Sequence, residues 1–425
     1  MLAGTKGPNL AMTPARAGSV ADSDAESPMD RSATSSPTNL GKKAPLMLGS
    51  MLSPAERAAL QERYYGEPGM DDGPPELKPL SSSIANADPA KGKLYRATWG
   101  FRIPSGALSG VMSWDDRVAA VASRDGTVTT FAADKGNVIR TIRLPGANKG
   151  DEPPACTCLR FRPEVNNPPT KNVVAVGRAN KVTYVHTTTG RVLTDIAEVD
   201  NSVLAVEFDP TGSKLATAGT DRTVRVYDDA RRTVETELAN SDNGKGHSNN
   251  VFALSWDPRN PALVVSAGWD NTMLLWDIRT PAARNGPVQN MFGVYCCGPD
   301  GVQFTEQSTV LAASWRKHHP LQVWDLRKGQ LVTNFVLTSS KHGEESVKAY
   351  AARWGQPGSG CAKVMAAGGG GEDLRLARIF HKDGFCHGTF PTMSPVLSIA
   401  LSKGPTGKRM LVCSDAEVAM LELDI

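Results

Sequence analysis

Beyond residue 100 the chain repeats one rhythm of apolar and polar positions: a short apolar run, a turn holding Gly, Asp or Asn, then an alternating run that ends on a bulky side chain. The copies read VAAVASRDGTVTTF, NVVAVGRANKVTYV, KLATAGTDRTVRVYD, LVVSAGWDNTMLLWD, VLAASWRKHHPLQVWD, VMAAGGGGEDLRLAR and RMLVCSDAEVAMLE. The bulky position falls at Phe131, Val185, Tyr227, Trp276, Trp324, Ala377 and Leu421, at intervals of 42 to 54 residues. A further apolar run precedes each pair, as in VLAVEFDP and VFALSWDP, and another usually follows, as in NVIRTIRL and QLVTNFVL. Period-two alternation marks half-buried strands, and the Gly/Asp/Asn clusters mark turns. Each unit therefore predicts four short strands. A lone four-stranded sheet cannot bury both faces, whereas repetition around an axis covers them and leaves only short edges.

Two units end in Trp–Asp pairs, Trp276–Asp277 and Trp324–Asp325, with Tyr227–Asp228 as a variant, and Gly246–His247 opens the fourth. Units of about 40–45 residues with GH and WD signatures make up the propeller pattern, and residues 91–425 resemble the WD-repeat β-propeller family. The resemblance implies an all-β fold, a seven-bladed β-propeller, with the second, sixth and seventh units placed by periodicity alone. The last copy reaches Ile425 without a fourth strand, and KLYRATWGFRI, residues 93–103, precedes the first unit without a unit of its own. In the family such a strand closes the ring, so residues 93–103 are expected to be the outer strand of blade seven. That pairing removes an open edge.

The stretch GHSNNVFALSWDPRNPALVVSAGWDNTMLLWDIR holds His, Ser, Asp and Trp at spaced positions. The family resemblance implies that His247, Ser266, Asp270 and Trp276 form one hydrogen-bonded structural brace. An acyl-transfer set uses the same polar groups but also needs an exposed nucleophile and an oxyanion hole, and the sequence suggests neither. The third unit keeps Thr217, Asp221 and Tyr227 but has EVDNS in place of the His. The resemblance also puts the residue before each turn Asp near the mouth of a central channel. These are Arg124, Arg178, Thr220 and Trp269, joined by Trp315 and Arg316. Arg and Trp are enriched at binding hot spots, so Arg124, Arg178, Trp269, Trp315 and Arg316 are expected to bind a partner peptide with acidic and aromatic residues.

Composition narrows the rest. The net charge of +3 over 425 residues implies no strong pull on nucleic acid. Residues 1–90 form a Pro/Ser-rich, low-complexity tail with 11 of the 29 prolines and no Trp, too poor in apolar surface to offset its ordering entropy. One island, LSPAERAALQERYYGE, predicts a short helix near residues 53–66, with Ser53 as N-cap, Pro54 at the first helical position and Glu56 completing a capping box. Thr13, Ser27 and Ser36 each precede Pro and are phosphorylation candidates in that tail. Seven scattered cysteines and no apolar N-terminal core point to a reduced, cytoplasmic setting without a membrane span.

GGGGEDLRLAR lacks the Lys–Ser/Thr ending of a phosphate loop and reads as a turn between strands. No zinc spacing links Cys156, Cys158, Cys296, Cys297 and Cys386, and His318 and His319 fall in a turn, so neither a metal nor a cofactor is expected. The sequence thus predicts a non-catalytic protein–protein interaction scaffold of a multiprotein assembly. An enzyme with a channel-centred site and an RNA- or histone-tail-binding module stand as alternatives. GWDNTMLLWDIR followed by ASWRKHHPLQVWD is also similar to WD-repeat proteins of algae and ciliated protists, which implies a cytoskeletal or ciliary axoneme assembly.

Overall fold

A computed structural model describes residues 95–146, 153–163, 172–239, 246–280, 286–305, 308–335, 337, 347–371, 375–382, 384 and 386–425. The expected tail, its helix near 53–66, the phosphorylation candidates and residues 93 and 94 lie outside them. Every regular element among the described residues is a strand.

β1 (Tyr95–Arg102) leads into a first sheet of β2 (Ala107–Met112), β3 (Val118–Ser123), β4 (Thr127–Ala132) and β5 (Val138–Arg143). A six-stranded sheet follows: β6 (Cys158–Phe161), β7 (Val173–His186), β8 (Arg191–Phe208), β9 (Lys214–Gly219), β10 (Val224–Asp228) and β11 (Thr233–Leu238). The next sheet holds β12 (Val251–Trp256), β13 (Leu263–Gly268), β14 (Thr272–Asp277) and β15 (Gln289–Phe292). Then come β16 (Val302–Phe304), β17 (Thr309–Ala313), β18 (Leu321–Asp325) and β19 (Gln330–Phe335). After these stand β20 (Lys348–Trp354), β21 (Val364–Gly370), β22 (Arg375–His381) and β23 (Cys386–Pro391). The last sheet, β24 (Val396–Leu401), β25 (Arg409–Ser414) and β26 (Glu417–Leu423), takes β1 as its outer strand.

All strand pairings among the described residues are antiparallel, and the inner strands β2, β6, β8, β12, β16, β20 and β24 pack each against the next around an axis, with β24 returning to β2. The fold is an all-β propeller. Among the described residues its sheets number six, a correction to the expected seven blades. The second and third repeats share one sheet because β8 runs unbroken for 18 residues. Residues 191–197 of β8 pair with β7, and residues 203–208 pair with β9. The reorientation between them uses Asp200 at φ 63°, a left-handed conformation that Asp tolerates better than most residues. Asn201 then anchors the bend by donating from Nδ2 to Glu198 Oε2 at 2.5 Å.

The bulky residues that ended each repeat, Phe131 to Leu421, are all buried between sheets. The seam at β1 is apolar as well as hydrogen-bonded. Tyr95 to Arg102 pair with Leu423 to Glu417, while Trp99 and Phe101 stack on Phe131 of the first sheet at 5.3 and 5.5 Å. Closure therefore joins the last sheet to the first through both hydrogen bonds and aromatic burial.

Candidate functional site

The fourth repeat holds a relay inside the sheet. His247, buried ahead of β12, donates from Nδ1 to Asp270 Oδ2 at 2.7 Å and accepts at Nε2 from Ser266 Oγ at 2.7 Å. Trp276 Nε1 donates to the same Ser266 Oγ at 2.8 Å. The indole has a donor and no acceptor, so the serine proton must point to the imidazole, which fixes the tautomer. Asp270 also accepts from Thr272 Oγ1 at 2.7 Å and from the Ser248 N–H at 3.0 Å. Burial opposes its ionisation, but the bonds from His247, Thr272 and Ser248 outweigh it and hold the carboxyl below the usual range. Ser266 has no exposed surface, so no substrate carbonyl reaches its hydroxyl. The structure thus brings the four residues together as an internal brace.

The third repeat supplies a brace of its own, missed in the sequence. Glu198, buried within EVDNS, accepts from Thr217 Oγ1 at 2.5 Å, Tyr227 OH at 3.1 Å, Asn201 Nδ2 at 2.5 Å and Arg225 Nη1 at 3.4 Å. Arg225 also pairs with Asp221 at 2.5 Å. A usable signal was present: Glu198 precedes Thr217 by 19 residues and Tyr227 by 29, the same offsets that separate His247 from Ser266 and Trp276.

The Cys296–Gly301 segment carries Asp300, which is wholly buried among the inner strands. Arg160 of β6 reaches Asp300 at 2.7 Å and Glu207 of β8 at 2.5 Å. Arg353 of β20 and the Ser398 hydroxyl of β24 also bond Asp300, and the Ile399 N–H donates to it at 3.2 Å. Burial would raise the Asp300 carboxyl, but Arg353 and Arg160 together keep it below the usual range. Burial likewise works against Arg160, yet Glu207 and Asp300 drive its pKa upward. These charges tie the inner strands β6, β8, β20 and β24 to one buried carboxylate and its neighbour Glu207. No pattern in GPDG distinguishes this residue from an ordinary turn Asp.

The end of the channel at which the inner strands begin is aromatic. Trp269 stacks on Tyr295 at 6.3 Å, Tyr295 lies 6.1 Å from Trp315, and Phe252 lies 5.1 Å from Trp269. Leu108, Ala155, Cys297, Tyr350 and Leu397 form the floor below them. Both indole N–H groups bond inward, Trp269 to Cys297 Sγ and Trp315 to Tyr350 OH, each at 2.9 Å. What the half-buried rings offer outward is therefore apolar face. Lys348 Nζ lies 3.6 Å from the Trp315 ring centre, and exposed Arg316 donates to Asn271 Oδ1 at 2.7 Å.

Of the expected binding residues, Trp269, Trp315 and Arg316 meet at this mouth. Arg124 is half-buried and paired with Asp415, on the seam between first and last sheets. Arg178 corrects the expectation: it is fully buried and donates from Nη2 to the Pro145 carbonyl at 2.6 Å, so it offers nothing to a partner. Thr220 accepts from the Ser202 N–H at 2.9 Å. Gly368 to Gly370 are part of β21 rather than a turn; a side chain at Gly369 would strike the Lys348 carbonyl. Among the described residues no three His, Cys, Asp or Glu side chains stand together as metal ligands.

The WD domain, G-beta repeat model matches residues 191–228 and 241–277. The chain is similar to mouse WD repeat-containing protein 1, 29% identical over 128 residues, which is 30% of this chain and 18% of the mouse protein. It is similar to the Drosophila melanogaster GATOR2 complex protein Wdr59, 30% identical over 92 residues, 22% of this chain and 9% of that one. Arabidopsis thaliana THO complex subunit 3 is 33% identical over 82 residues, 18% of this chain and 24% of the plant subunit. The matches thus span less than a quarter of each of these relatives.

Proposed function

The chain belongs to the WD-repeat β-propeller family, and we propose that it works as a non-catalytic scaffold that holds protein partners at the aromatic mouth of its channel. The observation that carries this reading is the row Trp269–Tyr295–Trp315, whose two indole N–H groups are bonded inward while its ring faces and the Arg316 and Lys348 cations remain at the rim. Such a surface suits a partner segment with aromatic or apolar side chains flanked by carboxylates. Two of the relatives are named as parts of complexes, GATOR2 and THO, which supports a role within an assembly. An enzymatic channel is the weaker reading, because the ionised pair there, Asp300 and Arg160, is committed to structural partners.

Two finer points belong to this proposal. The six-stranded sheet is read as two repeats in series, supported by the split pairing of β8. A cytoskeletal or ciliary assembly in the cytoplasm is proposed on the likeness of residues 268–279 and 313–325 to protist and algal proteins, and localisation of the tagged chain in a ciliated cell tests it.

The main test compares partners retained by the wild type, the Trp269→Ala/Trp315→Ala pair, Arg316→Glu and a chain starting at residue 91. Aromatic and Arg anchors cost about 2 kcal/mol or more on truncation, roughly a thirtyfold loss in affinity. Circular dichroism monitors the fold, and Arg316→Glu, at an exposed site, keeps the test sound should the Trp pair soften it. Partners lost with both variants but kept by the truncated chain support the mouth. Partners lost only on truncation move the function to residues 1–90.

A further inference from the structure

We propose that the opposite, lower mouth of the channel is an oxyanion site built around Lys403 and Trp114, independent of the aromatic mouth. Arg160 of β6 and Arg353 of β20 share the Asp300 carboxylate, and both act on the charge of Lys403 just past β24. The two arginines are answered by Glu207 and Asp300. Lys403 is not. Among the described residues no carboxylate stands within ion-pair distance of its ammonium, which rests 3.8 Å from the centre of the Trp114 ring. The Trp114 indole N–H is itself buried without an acceptor among the described residues.

The nearby carboxylate of Asp116 is taken by backbone, accepting from the Lys403 and Gly404 N–H groups at 2.9 Å each. That fixes the root of the lysine, while its tip feels Glu207 and Asp116 only from beyond ion-pair distance. Burial, helped by Arg160 and Arg353 and opposed by Glu207, brings the Lys403 ammonium down to about 8. A half-buried cation without an anion at ion-pair distance carries part of its desolvation cost, and an arriving oxyanion would relieve that cost with charge-assisted hydrogen bonds. Glu207 and Arg353 keep 27% and 15% of their side-chain surface exposed, so the mouth is open to solvent. The Glu207 carboxylate at the same mouth disfavours a polyanion. The ligand class is therefore a single compact oxyanion, a phosphate or a carboxylate group.

The test titrates the full chain with inorganic phosphate and, separately, acetate at constant ionic strength in chloride, followed by calorimetry and thermal melting. Saturable binding of either oxyanion that raises the melting temperature is expected, and the tighter of the two identifies the source. Lys403→Met should weaken binding about tenfold or more, while Lys403→Arg retains it. In chloride alone Lys403→Met should melt above the wild type, because an unanswered charge has gone. The proposal fails if the wild type binds neither oxyanion, if Lys403→Met binds as well as the wild type, or if Lys403→Met melts lower in chloride.

Discussion

The third and fourth repeats fill one frame with opposite chemistry. In the fourth, a neutral imidazole both donates and accepts, so the bonds run in one line from Trp276 through Ser266 and His247 to Asp270, and the negative charge sits at the end. In the third, Glu198 only accepts, so Thr217, Tyr227, Asn201 and Arg225 all converge on it and the charge sits in the middle. A central anion needs a nearby cation. Arg225 supplies it from the position opposite Thr217, where the fourth repeat has Leu274 opposite Ser266. The frame therefore fixes spacing and donor directions, not residue type. Any buried group serves if it satisfies the strand hydroxyl and the ring donor and its charge is balanced.

The difference is broken most severely at Glu198. Glu198→Ala strands two hydroxyls, an amide and one edge of a guanidinium at once, and should cost about 3 kcal/mol or more in denaturant unfolding. Glu198→His alone should not restore stability, because the imidazole would face Arg225 without an anion between them. Glu198→His with Arg225→Leu copies the fourth repeat and should recover part of the loss. A double variant no better than Glu198→His would show that the two braces are not interchangeable.

Asp270→Ala comes next. It removes one acceptor from one end of the line and should cost about 1–3 kcal/mol, less than Glu198→Ala because Ser266 and Trp276 keep their bond. Its pH dependence has a definite sign. The folded Asp270 carboxyl lies below its unfolded value of about 3.9, so its contribution is fully present above that value and is lost as pH falls through the folded pKa. Wild-type stability should therefore fall more steeply below about pH 4 than that of Asp270→Asn, and the two curves should run parallel between pH 5 and 7. A divergence confined to the neutral range would place the titrating group elsewhere.

How much of this was legible depends on what a residue's surroundings demand of it. The repeat period and the His247 quartet could be read because apolar alternation and residue type both carry the pattern. Glu198 escaped because the frame was sought by its His, although the offsets to Thr217 and Tyr227 were in plain view. The merged sheet was not legible because nothing in EVDNS marks Asp200 and Asn201 as residues that let β8 bend without breaking. Asp300 and Arg178 were illegible for a common reason. A charged residue is ordinarily solvated, and these two are buried by partners far off in sequence, Pro145 for Arg178 and Arg160, Arg353 and Ser398 for Asp300.

The smallest expected effect is the sharpest on the central contrast. Tyr227→Phe removes one hydroxyl with little change in volume, leaving Glu198 still bonded to Thr217, Asn201 and Arg225. Burial and then the Glu198 charge push the Tyr227 phenol well above its ordinary range, so it is a donor at neutral pH. The loss should be about 1 kcal/mol. A convergent brace further predicts coupling: in a Glu198→Gln background the acceptor is neutral and weaker, so Tyr227→Phe should cost less there than in the wild type. The difference between the two costs, measured by denaturant unfolding of all four proteins, should be at least about 0.5 kcal/mol. Strict additivity would mean that Tyr227 packs beside Glu198 without drawing on its charge, and the third repeat would then be held by Thr217 and Arg225 alone.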